Sequence, residues 1–502
     1  MNPVHTKHWA VGMLLSILLL GARSAGATEV SGIQSGTWTL SHSPYLLVGN
    51  VTVPPQATLI IEPGVVVRAM GHYRITVDHA TLLAVGTTSS PILMTADDTQ
   101  TGWRGLRMMS ASDETVLSHC IVEHAHGSGP FPEAHGGALW IDTCSPTISK
   151  NLFRFNSTHN PTSLTGLGGA VGASQSSVKI LYNTMIQNSA DAGGAIVVRI
   201  SGSPTICGNT IINNTAVASG GGIYLGAGTM PTLEHNIIIG NHSSTSLAGG
   251  GGVSSWTNYA LFLTFPIIRN NVIAFNTTNG QGGGLYLRYD RAVVKNNVVA
   301  LNEGAHGGGI YALNFPSSAP IVTSSILWGN TATNAGDAIY LEQVVESNIS
   351  VTYSNIQGGW PGVGNIDADP LFGRMPDAGA DGVWGTDDDD LGDLRLLEGS
   401  PSINRGDPNF VPVPGETDLD GHARVLCSAV DMGPYEFGIG DYTCDQSVDL
   451  ADFAFWGMCF TGPATGALPP YAAGCEVFDF NLDGAVDVFD FAGFQRAMTP
   501  PD

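Results

Sequence analysis

The run Ile206-Cys207-Gly208-Asn209-Thr210-Ile211-Ile212-Asn213-Asn214, followed by Gly221-Gly222, sets the fold because its pattern recurs along the chain. Written as apolar-x-x-Asn-x-apolar-x-x-Asn, it gives aligned columns in seven copies. The first apolar column is Ile148, Ile180, Ile206, Leu233, Ile268, Val294 and Val322, and the second is Phe153, Met185, Ile211, Ile238, Ile273, Val299 and Leu327. One Asn column holds Asn151, Asn183, Asn209, Asn236, Asn271 and Asn297, then Ser325. The other holds Asn156, Asn188, Asn214, Asn241, Asn276, Asn302 and Asn330. A Gly-Gly-apolar phrase punctuates the copies from Gly136-Gly137 to Gly308-Gly309, at steps of about 25 to 32 residues, the size of one solenoid coil.

Short β-branched runs broken by Gly and Asn suit strands and corners, and no helix-length 3.6-residue period runs through the copies. In a parallel β-solenoid, equivalent residues stack about 4.8 Å apart, so the apolar columns become interior ladders. Asn is expected at the corners, both for its tolerance of left-handed backbone and for an amide that can donate and accept along a stack. The Asn columns are therefore expected to be ladders and not glycan acceptors, although Asn156, Asn241 and Asn276 each begin an N-x-S/T phrase. Gly-Gly is expected where the chain turns with positive φ or packs closely on the next coil.

The repeat resembles the right-handed parallel β-helix family, shared by pectate lyases, other polysaccharide lyases and hydrolases, and many bacterial surface proteins. The resemblance implies the fold and leaves the activity open. Val51-Thr52-Val53-Pro54-Pro55 and Leu59-Ile60-Ile61-Glu62-Pro63-Gly64 look like entrance coils, and Val430-Asp431-Met432-Gly433-Pro434-Tyr435-Glu436-Phe437 looks like a closing strand of such proteins. The expected organisation is a signal peptide over 1–27, entrance coils over 28–117, central coils over 118–360, an acidic cap over 361–437 and a separate tail over 438–502. The leader is read from Lys7, the apolar run Trp9 to Leu20 and the small residues Ala25, Gly26 and Ala27. That apolar run is shorter than the ~20 residues a membrane span needs. Export to the outside or surface of a bacterium, as a monomer without a transmembrane segment, is the expectation.

The chain has 502 residues, 19 Lys+Arg against 43 Asp+Glu and a formal net charge of -24, which argues against nucleic-acid binding. From Trp360 onward there are about 26 acids against about 5 Arg, so the natural partners of this third are cations. Asp377, Asp381 and Asp387 to Asp390 form a candidate metal loop or a solvated turn. The sharper motif is Asp479-Phe480-Asn481-Leu482-Asp483-Gly484-Ala485-Val486-Asp487-Val488-Phe489-Asp490. Its oxygen side chains Asp479, Asn481, Asp483, Asp487 and Asp490 fall at the spacing of a Ca²⁺ loop, with Gly484 at the sharp turn and a helix expected from Phe489 to Met498. A second, weaker loop comprises Asp441, Thr443, Asp445, Asp449 and Asp452, with Gln446 where Gly is expected. This tail resembles a dockerin-like pair of EF-hand loops, which implies docking to a cohesin-like partner through Leu450-Ala451 and Val488-Phe489.

Of the seven Cys, Cys459 and Cys475 bracket the connection between the two halves of the tail and are expected to be bridged. Cys427 with Cys444 is a second pairing, and Cys120, Cys144 and Cys207 are expected to be small buried thiols. For function, the strand after each Gly-Gly is expected to offer an outward column of Leu139, Val171, Ile196, Tyr224, Ser254, Tyr286, Tyr311 and Ile339, with Trp256 nearby. Tyr224, Trp256, Tyr286 and Tyr311 would then stack on sugar rings of a polysaccharide or cell-surface glycan. The alternative is a polysaccharide lyase or glycoside hydrolase in the same groove. Arg288 and Asp290 are its candidate catalytic residues, and Asp142, Arg199 and Glu342 lie on or just beyond the same strands. His119, His124, His126 and His135 have no zinc-like ligand spacing.

Overall fold

The computed structural model describes residues 26–129, 133–158, 165–246, 249–256, 264–313, 319–342, 348–462, 471–472 and 474–498. The expected leader lies, up to residue 25, outside these. Each central coil carries short strands, as in Thr205–Cys207, Thr210–Ile212, Thr215–Ser219 and Ile223–Leu225. First strands stack into a parallel sheet of twelve and third strands into one of six, while second and fourth strands join in a sheet of 23. The register follows the sequence columns: Ile148 pairs Ile180, Ile206 and onward to Val322, and Phe153 pairs Met185, Ile211 and onward to Leu327. Every one of these side chains is fully buried.

Both Asn columns are interior hydrogen-bonded ladders. Asn236 Oδ1 accepts from Asn209 N and Nδ2 at 2.9 and 3.0 Å, while Asn236 Nδ2 donates to Ile206 O at 2.8 Å and to Asn271 Oδ1 at 2.9 Å. Asn156, Asn241 and Asn276 sit in the same arrangement and are inaccessible to glycosylation in the folded chain. The left-handed corner is not the ladder Asn itself. It is the residue before it, as at Tyr182, His235 and Asn270 (φ 55, 56 and 54) and at Gln187, Asn213 and Phe275 (φ 54, 51 and 54). The turn there swings the Asn amide inward, and the side chain saturates backbone groups that the corner would otherwise strand. Replacing Asn236 by Ala is expected to cost about 1 to 3 kcal/mol through its unpaired buried partners. An unchanged melting temperature would contradict the ladder's role.

The two roles expected of Gly-Gly fall on successive residues. Gly193 has φ 63, whereas a Cβ on Gly194 would run into the carbonyl oxygen of Gly221 on the next coil.

The acidic segment after the repeats departs from an end cap. Its first part closes the last coil, where Asn355 Nδ2 donates to Ala368 O and Ser354 N to Asn365, and Ser402 returns to accept from the same Asn355. The chain then turns back along the flank. Trp384, Leu394, Leu396, Ile403 and Met432 cover the outward side chains of second strands, Ile186, Ile212, Ile239, Ala274, Ala300 and Ile326. Polar ties fasten this strap: Asn213 Nδ2 to Trp384 O at 2.6 Å, and Glu416, almost fully buried, to Arg269 and Lys295 at 2.9 and 3.2 Å. The sequence signal was available, since these strands are apolar on both alternating faces, the pattern of a sheet covered on both sides.

Among its described residues the tail has two α-helices, α1 (Leu450–Cys459) and α2 (Val488–Ala497). They pack through Trp456, Val477, Phe478, Val486 and Phe494, with Leu426 of the strap joining this core. Each starts in a capping box, Asp449 with Asp452 and Asp487 with Asp490, which sets α2 one residue earlier than expected. Cys459 is bridged to Cys475, and Cys427 to Cys444. Cys120 and Cys144 are buried thiols, but Cys207 lies on an outward column and is only half-buried.

Candidate functional site

Two regions carry chemistry-bearing side chains in a definite arrangement, the outer side of the fourth strands and the paired loops of the tail.

On the fourth strands, the observed register separates two columns that the sequence reading merged. Leu139, Val171 and Ile196 align with Ile223, Val253, Leu285, Ile310 and Ile339, and these point into the core. The adjacent column is Trp140, Gly172, Val197, Tyr224, Ser254, Tyr286, Tyr311 and Tyr340. The cause is glycine count. Gly222, Gly252, Gly284 and Gly309 stand where Ala138, Ala170 and Ala195 follow the doublet, so the Gly-Gly-apolar phrase can be placed one residue late, and a one-residue slip in a period of two exchanges the faces.

Tyr286 and Tyr311 are only 2 % and 3 % exposed. Their rings stack on one another at 5.2 Å, and Tyr311 stacks on Tyr340 at 5.7 Å, while Tyr311 OH donates to Glu342 at 2.9 Å. The rings thus fill one another's faces along the ladder, and in this conformation neither offers a face to a sugar. Tyr224 and Trp256 are half-buried. Burial pushes the Tyr224 hydroxyl up to about 12, so it serves as a neutral donor and acceptor at physiological pH.

Arg288 and Asp290 are not brought together. Arg288 points outward and lies over the Trp256 and Tyr289 rings at 5.3 and 5.0 Å. Tyr289 then turns with φ 55 and sends Asp290 inward, where it is fully buried. Asp290 accepts from Ala292 N at 3.4 Å and neighbours Ser255. Burial raises its carboxyl from 3.8 to about 7. A group whose folded pKa is raised stabilises the fold fully below its unfolded value, and this contribution fades as pH rises through the folded one. Between about pH 4 and pH 7 the native protein therefore loses stability at Asp290 as pH increases. Asp290→Asn is expected to match the parent at pH 5 and to exceed it at pH 8.5 in thermal unfolding. A variant less stable than the parent at pH 8.5 would show that the ionised carboxylate is needed.

In the tail, the two loops share one hydrogen-bond scheme. Asp479 accepts from Asp483 N and Gly484 N at 3.1 and 3.0 Å, as Asp441 does from Asp445 N and Gln446 N at 3.2 and 2.8 Å. Asp490 accepts from Asn481 N and Asp487 N at 3.1 and 2.9 Å, as Asp452 does from Thr443 N and Asp449 N at 2.8 and 2.9 Å. The backbones match as well: φ is 59 at both Leu482 and Cys444, and 83 at Gly484 against 73 at Gln446.

Asp479, Asp487 and Asp490 are nearly or fully buried, and burial raises the carboxyls of Asp479 and Asp490. Asp487 Oδ2 is enclosed without a hydrogen-bond partner. An oxygen-only donor set with a spare buried carboxylate oxygen fits a hard divalent cation. At the tenth and eleventh positions of the loops, Leu450, Val488 and Phe489 are 72 %, 67 % and 70 % exposed.

The Asp377–Asp390 run is engaged with its own turn and with Arg374. Asp388 accepts from Ala380 N, Asp389 from Gly385 N and Thr386 N, and Asp390 from Arg374. Asp418, Asp420 and His422 converge in a way the sequence did not suggest, but Asp420 is committed to Arg395 at 2.6 Å.

Comparison with known proteins bears on the solenoid. A model described as "Right handed beta helix region" matches residues 108–265, and one described as "Pectate-lyase like beta helix domain" matches residues 32–116. With the parallel register above, the fold is a right-handed parallel β-helix. The chain is also similar to "Probable outer membrane protein pmp20" of Chlamydia pneumoniae, at 29% identity over 175 residues. That stretch is 35% of this chain and only 9% of the relative. No helix among the described residues is long and apolar enough to cross a membrane.

Proposed function

We propose that this chain is an exported β-helix protein, displayed at a bacterial surface or released outside the cell, whose tail is a calcium-loaded docking module. One observation carries the reading: the enclosed carboxylates of Asp479, Asp487 and Asp490, one with a spare oxygen, lie directly beneath a helix start that exposes Val488 and Phe489. Asp479, Asn481, Asp483, Asp487 and Asp490 would hold the ion. Bound Ca²⁺ supplies the positive charge that lets these carboxylates stay ionised in a confined loop. The residues themselves order the start of α2, with Asp487 and Asp490 tied to the helix N-terminus. Leu450, Val488 and Phe489 then form the apolar contact offered to a cohesin-like partner. The likeness to an outer membrane protein supports surface display.

A polysaccharide or cell-surface glycan is the proposed ligand of the solenoid, at the partly exposed Tyr224 and at Trp256 with the guanidinium of Arg288 over its ring. Apolar ring faces beside a cation suit a sugar bearing polar or acidic groups. The alternative of a lyase or hydrolase is weakened by Asp290, which points into the core away from Arg288.

Calorimetric titration of the full chain with Ca²⁺ tests the docking reading. Uptake is expected, and Asp479→Ala is expected to weaken it by more than tenfold. No heat at millimolar Ca²⁺, together with no change in tail hydrogen exchange, would refute it.

A further inference from the structure

We propose that the Cys427–Cys444 disulfide does for the loop Asp441 to Asp452 what calcium does for the loop Asp479 to Asp490, so that the chain takes up one calcium ion and not two. This inference rests on the calcium reading of the second loop.

Both loops adopt one backbone, yet their means of closure differ. The second has Asn481 and Gly484 at the third and sixth positions, where the first has Thr443, a neutral hydroxyl, and Gln446. Gln446 nevertheless takes φ 73, a left-handed conformation that a side chain disfavours and Gly484 adopts freely. The hydrogen bonds accepted by Asp441 and Asp452 are common to both loops, so what sets the first apart is a further tie. The fourth position supplies it. Cys444, at φ 59, is bonded to Cys427 of the strap, whereas its counterpart Leu482, at the same φ, is a side chain 41 % exposed beside Gly421.

The fourth position lies between Thr443 and Asp445. Pinning it therefore fixes both neighbours and restricts the opened state of the loop, as a crosslink does. Leu426, next to Cys427, packs into the tail core, so the same bridge fastens the tail to the strap along the solenoid. The carboxylates differ in the same sense. Asp487 is enclosed with an unpartnered Oδ2, while its counterpart Asp449 is half-buried. Only the second loop thus encloses a spare anionic oxygen that calls for a cation.

The test uses the full oxidised chain, with calcium stoichiometry by equilibrium dialysis and hydrogen exchange of the loop amides. One equivalent of Ca²⁺ is expected. Chelation should speed exchange at Asp483, Gly484 and Asp487 at least tenfold and change Asp445, Gln446 and Asp449 less than twofold. The Cys427→Ser/Cys444→Ser pair should reverse this, with the first-loop amides at least tenfold faster under saturating Ca²⁺ and the second-loop amides unchanged. Adding Thr443→Asp and Gln446→Gly to that pair should create a second equivalent and restore first-loop protection. Two equivalents in the parent, or equal release of both loops on chelation, would overturn the proposal. So would an unaltered first loop in the serine pair. Zero equivalents would refute the calcium reading of the second loop, and the serine pair would still decide the role of the disulfide.

Discussion

Trp384→Ala is expected to destabilise the packing of the strap by about 3 to 5 kcal/mol, the range for truncating a large buried aromatic ring. The ring is 9 % exposed, lies 5.2 Å from Phe275 and packs with Ile186 and Ile212 across neighbouring coils. Its loss leaves a hole that neighbouring side chains cannot readily fill, because they stand on strands fixed by register. The consequence is local before it is global. Strap amides should exchange faster and protease should cut the strap sooner, while the coils ahead of Ile186 keep their protection, as expected of a solenoid whose coils contact only their neighbours. A loss below 1 kcal/mol with unchanged proteolysis would show that the strap is held elsewhere.

Arg424→Ala is expected to cost a similar amount, about 3 to 5 kcal/mol near pH 8, because it leaves buried carboxylates without their cation. Arg424 is 1 % exposed, bonds Glu436 at 2.9 Å and donates to Gly433 O at 3.1 Å. Asp431, beside them, accepts from Asn404 N and Phe437 N, both at 2.6 Å, and Asp418 accepts from Glu436 N. Burial raises Asp431 from 3.8 to about 7 and Glu436 well above its usual range, and Arg424 opposes both shifts. Native Asp431 thus keeps a proton that the unfolded chain has released from about pH 4 upward, and its stabilising contribution is lost as pH rises through 7. Without Arg424 these carboxyls should hold their protons to still higher pH. The variant should therefore lose most stability at pH 8 and much less at pH 5. Equal losses at both values in denaturant unfolding would mean that packing, not charge, is what Arg424 supplies.

The coils were legible in the sequence because each interior position is filled by a repeated residue type. Ile206 and Asn209 have the same neighbours one coil away, so a column records a contact. The orientation of the fourth strands was less legible. A glycine in place of alanine two residues before Tyr224, Ser254, Tyr286 and Tyr311 let the phrase slip by one residue, and alternation alone could not say which of two apolar columns faced outward. Tyr286 and Tyr311 therefore looked available to a ligand, although their enclosure comes from stacking between coils, a tertiary effect. Asp290 misled for a related reason. Nothing in Arg288-Tyr289-Asp290 announces that Tyr289 turns left-handed and reverses the direction of the next side chain. The strap was hidden because its partners are distant in sequence, yet Ile186, Ile212 and Ile239 marked the flank it covers. The loop at Asp479 was readable from spacing alone, since its oxygens are local and the turn at Gly484 needs no tertiary information.

Calorimetric unfolding of the full chain, with 1 mM Ca²⁺ in one cell and a chelator in the other, tests the calcium-loaded tail most directly. A ligand that binds only the folded state stabilises it by RT ln(1 + [L]/Kd), about 4 kcal/mol at a thousandfold excess over Kd. Calcium is expected to raise the transition of the tail while leaving that of the solenoid in place, and Asp479→Ala is expected to remove the rise. Superimposable traces with and without calcium would contradict this expectation.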